Sequence, residues 1–283
     1  MDEKSMDLKK SYNMFLDSTY NKFELPIYVY ILKCLMGGWF AGLGAHAAGL
    51  LASSYYNPEA GLSSCGNCKL AFGIIFSGAL LLIVYTGTDL FTSNTASFTG
   101  LVLSKRISFP KYIGYLGISL LGNYLGAVIS CFILTYLSGN FYFKSENNSA
   151  AARWLSELVI YKVSHGFLEC IVSAIGCNIY VCLSVWIGYV MGFSGNAVLT
   201  QILLITTFAV AGFEHIVANS YIVNSGLMNN SGITLYGAYI RNLLPTLIGN
   251  FIAGAGIIGL SLYVFYGTKM HCDSHDIEDK FGD

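Results

Sequence analysis

Six apolar stretches dominate the chain, approximately Pro26–Leu51, Leu70–Tyr85 continuing through Phe91–Leu103, Lys111–Leu137, Val163–Tyr189, Leu199–Tyr221 continuing to Leu227, and Ala238–Tyr266. A helix needs roughly 20 residues to cross the hydrocarbon core of a bilayer. Each stretch is therefore expected to cross once, which makes an all-α integral membrane protein with six spans. The charge content agrees: 11% of the 283 residues are charged, against about 25% in a soluble domain. The formal net charge of -1 and the absence of a basic stripe argue against a nucleic-acid partner. The expected surroundings are the lipid bilayer.

The N-terminal segment, residues 1–25, is polar and has no pattern of a cleavable signal peptide. Residues 26–266 form the expected transmembrane domain, and 267–283 a polar tail. With both ends inside, the inner connections hold Lys4, Lys9, Lys10, Lys22, Lys105, Arg106, Lys111, Lys269 and Lys280. The outer ones hold Lys69, Lys144, Arg153, Lys162 and Arg241. That excess places both termini in the cytoplasm. Cys34, Cys131, Cys170, Cys177 and Cys182 fall in spans and read as small buried thiols. Cys65 and Cys68 in "SSCGNCK" lie in the first outer loop, where a disulfide and free thiols are both compatible with the spacing. A metal site would need further ligands, and none is expected. Asn147 and Asn229 begin "NNS" sequons on the outer side.

The two halves repeat each other. "TGTDLFTSNT" at 86–95 parallels "AGFEHIVANS" at 211–220, each with Gly, an acid two positions on, and Asn seven positions after the Gly. "LLGNYLGA" at 120–127 echoes "LIGNFIAG" at 247–254. Each repeat, about 26–137 and 163–266, holds three spans. An odd number of crossings inverts the second half relative to the first, a plan that places a transport path between the halves. The polar residues fall in the middle span of each repeat, so those spans are expected to be broken. Gly87 and Gly212 permit the turns. Asp89 and Glu214 hold the breaks by accepting hydrogen bonds from donors that hydrocarbon would leave unpaired.

His215 is an ionisable group at such a break and so a functional candidate. Asn219, one helical turn on, would hold its imidazole or contact substrate. Thr86 and Thr88 would supply hydroxyls at the matching break. Leu90, Phe91, Phe208, Phe213, Ile83 and Ile74 surround these polar groups, and some should pinch the path against water and bare ions.

"GAHAAG", "TGTDLFTSN", "LLGNYLGA", "AGFEHIVANSY" and "RNLLPTLIGN" together resemble the formate–nitrite transporter family, most of all its apicomplexan parasite lactate/proton symporters, over about residues 22 to 266. The resemblance implies an aquaporin-like six-span fold, inverted three-helix repeats with broken second and fifth helices, and a homopentamer with one path per protomer. It implies a looped break over Thr86–Phe91, a central His215 followed by Asn219, and Phe208 as an aromatic constriction. Lys22 and Lys162 resemble vestibule lysines that attract the anion, and Ile74 stands where close relatives look aromatic. By resemblance the chain sits in a parasite plasma membrane and exports lactate with protons.

The expected mechanism needs no cofactor and no covalent chemistry, and no enzyme motif is present. L-lactate, formate, acetate and pyruvate are anions at neutral pH. Burial disfavours the charged form, so the acid would take up a proton, from His215 or from vestibule water, and cross neutral. Two rivals remain: a proton-independent channel for formate or nitrite, and a water or glycerol channel. The second would normally carry paired Asn-Pro-Ala breaks, and none of Pro26, Pro58, Pro110 and Pro245 lies in one.

Overall fold

The computed structural model describes residues 7–139, 141 and 149–268. Asn147 and the tail from 269 onward lie outside the described residues. A short helix, α1 (Leu8–Tyr20), comes first. The first half follows as α2 (Ile27–Ser53), α3 (Gly66–Thr86), α4 (Phe91–Leu103) and α5 (Phe109–Leu137). A connecting helix, α6 (Ala150–Ser164), leads to the second half: α7 (Phe167–Val190), α8 (Gly195–Val210), α9 (Ile216–Met228) and α10 (Gly237–Gly267). Helices α2, α3, α5, α7 and α10 are each long and apolar enough to cross a membrane. The remaining crossing is divided between α8 and α9. The described residues are all helix, turn and loop.

The halves interlock rather than stand side by side. Helices α2 and α5 pack together in the first half, α7 and α10 in the second, and α3 packs on α8 between them. The short limbs cross over: α4 lies against α10, and α9 against α5. Small residues let the backbones approach closely. A Cβ at Gly126 would run into the Leu35 carbonyl oxygen, and one at Gly249 into that of Ile171. These glycines therefore bring helices together within a protomer.

The break in the second span lies at the end of α3, within the expected 86–91, and the 21 residues of α3 make a limb of about 31 Å. Two features depart from the sequence reading. The polar N-terminal segment folds onto the spans, with α1 packed against α4 and α7 and with Tyr12, Phe15 and Leu16 buried. Asn229 is 5% exposed and donates to the Ser225 carbonyl, so this sequon is closed to modification in the folded chain. Cys65 and Cys68 form a disulfide, and the five span cysteines are free and buried.

Candidate functional site: a path through the two helix breaks

Both breaks are built by one pattern. Helix α3 ends on Gly87 with φ +66°, and α8 runs into Gly212 with φ +74°. Only glycine takes this left-handed geometry without steric cost. The next amide in each case bonds back five residues, Thr88 to the Ile83 carbonyl and Phe213 to that of Phe208. Leu90 and His215 then take extended dihedrals and begin α4 and α9.

Two asparagines satisfy the exposed backbone. Asn123 Oδ1 accepts from the Phe91 N–H at 2.7 Å, while its Nδ2 donates to the carbonyls of Asp89 (2.9 Å) and Cys34 (2.7 Å). Asn250 Oδ1 accepts from the Ile216 N–H at 2.8 Å, and its Nδ2 donates to the carbonyls of Glu214 (3.0 Å) and Ala174 (2.8 Å). One amide side chain thus serves three buried backbone groups at each break.

The acids bind laterally. Asp89 accepts from Asn94 and Ser119, and its Oδ2 lies 2.8 Å from Lys22 Nζ. Glu214 accepts from Asn219 and Asn242, and its Oε2 lies 2.9 Å from Lys162 Nζ. Lys22 and Lys162 each sit five residues ahead of a spanning helix, α2 and α7. They are a further repeat pair, one that extends the inverted unit beyond residues 26 and 163.

The repeats differ in which half carries the ionisable group: His215 stands where the first half has Leu90. Its ring caps α9, with Nδ1 accepting from the Ala218 N–H at 3.2 Å and Nε2 3.0 Å from Thr92 Oγ1 of the opposite half. With Nδ1 an acceptor, the ring proton sits on Nε2 and is donated to Thr92. Asn178 Nδ2 supports the same crossing, bonding the carbonyls of Thr92 (3.2 Å) and Asn250 (2.6 Å).

Three cavities follow one another through this centre. A vestibule of about 80 Å³ is lined on one side by Lys69, Phe72, Trp154, Lys162, Phe213 and Asn219. The opposite vestibule, about 360 Å³, is lined by Lys22, Lys33, Gly87, Thr88, Asp89 and Ser93 among others. Between them lies a chamber of about 20 Å³. It shares Phe76, Phe208 and His215 with the first vestibule, and Leu80, Ile83 and Leu90 with the second. The Phe76 and Phe208 rings meet edge to face at 6.2 Å, and Phe208 lies 6.0 Å from the His215 ring. One aromatic and one aliphatic pinch therefore enclose a small apolar chamber whose polar wall is His215.

The expected path residues divide accordingly. His215, Phe208, Ile83, Leu90, Gly87, Thr88 and Asn219 line these cavities, and Gly212 lines the Lys162-side vestibule. Ile74 does not: it is half exposed on the outer side of α3, and Phe76 faces Phe208 instead. Thr86 turns into a lateral apolar groove and bonds the Leu82 carbonyl. Phe91 is buried but outside the three cavities. Asn219 does not hold the imidazole, because it reaches back to Glu214. The cap of α9 is His215. Among the described residues, no three His, Cys, Asp or Glu side chains gather as a metal site.

A short apolar passage between two lysine-bearing mouths, carried on interlocked inverted halves, defines a membrane transport protein. A family profile described as "Formate/nitrite transporter" matches residues 9–264. A "Formate-nitrite transporter" of Plasmodium falciparum is 40% identical over 238 residues, 83% of this chain and 77% of that protein. The chain belongs to the formate/nitrite transporter family, whose members are transporters and channels rather than enzymes. Two solved structures share the fold at 23% identity. An "FNT family ion channel" matches with TM-score 0.76 over 92% of this chain and 98% of that one. A "Pentameric formate channel with formate bound" matches with TM-score 0.68, over 85% and 98% respectively.

Proposed function

We propose that the chain carries small monocarboxylates, L-lactate together with formate, acetate and pyruvate, across the membrane with one proton each. The supporting observation is the chamber: an aliphatic pinch closes one side, and the Phe76 and Phe208 rings with a single imidazole close the other. A bare carboxylate loses its hydration there without gaining a cation, a cost of several kcal/mol. The neutral acid loses far less. The vestibules supply positive charge to gather the anion and water to protonate it as the dielectric falls.

The tautomer of His215 bears on the source of the proton. Its Nδ1 lone pair is engaged by the Ala218 N–H, so taking up a proton there would break the cap of α9. Vestibule water is the donor this arrangement favours, with His215 offering its Nε2–H as a polar contact midway. The family and the names of the relatives support a small-anion substrate; the proton and the preference for lactate rest on the chamber and the resemblance. The same reading places the protein in a plasma membrane with cytoplasmic termini, as the lysine and arginine distribution supports, and assembles it as a homopentamer, as the pentameric neighbour supports.

Purified protein in sealed vesicles tests the coupling. Radiolabelled lactate and interior pH are followed together across an imposed pH gradient. The expected result is lactate uptake driven by the gradient and matched by proton entry. Uptake indifferent to the gradient, with current following membrane potential, would instead establish the proton-independent anion channel.

A further inference from the structure

Lys22 and Lys162 line the vestibules, yet neither offers an unneutralised charge. Lys22 Nζ lies 2.8 Å from Asp89 Oδ2 and donates to Asn94 Oδ1 at 2.6 Å. Lys162 is 7% exposed and paired with Glu214 at 2.9 Å. Among the described residues the ion pairs are these two and Arg106 with Asp17. Two other lysines line the same cavities without a carboxylate: Lys33 in the Lys22-side vestibule and Lys69 in the other.

The charge count is the same at both mouths. In the first, Lys22 and Lys33 give two positive charges and Asp89 removes one, leaving one. In the second, Lys69 and Lys162 give two and Glu214, behind Lys162, removes one, again leaving one. Lys33 is held in place: its Nζ donates to the Gly87 carbonyl at 2.8 Å, at the lip of the break. An ammonium bonded to a neutral carbonyl keeps its full charge and two further protons for a ligand. Lys33 falls within the first apolar stretch, so a topology count passes over it; Lys69 lies in the first turn of α3, three residues after Gly66.

We propose that Lys33 and Lys69 are the anion-capturing residues of the two vestibules, whereas Lys22 and Lys162 neutralise the acids that hold the helix breaks. This rests on the reading of the chain as a small-anion transporter. Each free lysine raises the concentration of the anion at its own mouth, and passage beyond the pinches is unaffected.

The test measures initial rates against concentration, with formate as well as lactate, in vesicles holding the protein in both orientations. Lys33→Gln is expected to give biphasic saturation, one component keeping the wild-type KM and the other raised about threefold, the size of one unit charge acting across several ångströms of water. Lys69→Gln should do the same. The double variant should show a single raised KM with an unchanged maximal rate and a flatter dependence on ionic strength, and Lys33→Arg should retain the wild-type KM. Wild-type saturation and salt dependence in the double Gln variant would overturn the proposal while leaving the transport function standing. Formate flux with no lactate flux would remove lactate from the functional reading and leave the lysine assignment to be decided on formate.

Discussion

His215 does three things at once: it caps α9, donates to Thr92 across the interface between halves, and forms the polar wall of the chamber. Substitutions separate these roles. Alanine removes the cap, worth about 1 kcal/mol, and leaves the chamber without a polar contact. Asparagine is a good capping residue and keeps a donor for Thr92, but it cannot pass a proton through a cationic ring. The expected outcome is severe loss of lactate flux in His215→Ala and appreciable flux in His215→Asn, both measured at matched protein density. Loss of flux in an assembled Asn variant would make the ring an obligatory proton carrier. The residue itself was legible as an ionisable group in an apolar run. Its partner was not, because His215 has extended dihedrals and the i, i+4 neighbour rule holds only within a helix. Asn219 consequently reaches the acid five residues back, as Asn94 does in the other half.

At the scale of the elements, the breaks depend on side chains supplied from a different helix. "LLGNYLGA" and "LIGNFIAG" were visible as an echo, but only the fold reveals that Asn123 and Asn250 reach the breaks 34 and 36 residues upstream, at the carbonyls of Asp89 and Glu214. Asn250→Ala strands the Ile216 N–H and the Glu214 carbonyl in a buried site. Each stranded group costs about 1–3 kcal/mol. A drop of several degrees in the melting temperature of the detergent-solubilised protein is expected, at about 2–4 °C per kcal/mol. An unchanged melting temperature would show that the break closes without this residue. Helical spacing also explains the misplaced Ile74. Phe76, Leu80 and Ile83 follow one face of α3 at intervals of four and three, and that face meets the path. Ile74 lies two residues before Phe76, which turns it outward.

Over the whole molecule, number of spans, inversion and position of the breaks were readable because bilayer thickness and backbone hydrogen bonding impose them on any sequence. The exchange of short limbs between halves was not, since nothing in a linear repeat specifies which copy a helix packs against. Gly126 and Gly249 are used within the protomer, where they meet neighbouring carbonyls. The proposed homopentamer would then associate through exposed apolar faces. Mass measurement in detergent is expected to give five protomers, and an active monomer would refute that assembly.

The chamber behind the two pinches has one more consequence. At about 20 Å³ it has room for about one water molecule. A hydrogen-bonded file of water from one mouth to the other cannot form through it. In electrical terms a path of this shape is an insulator: protons have no continuous wire of water along which to hop through the chamber. A membrane could therefore hold many copies of a protein built this way without short-circuiting its own gradients.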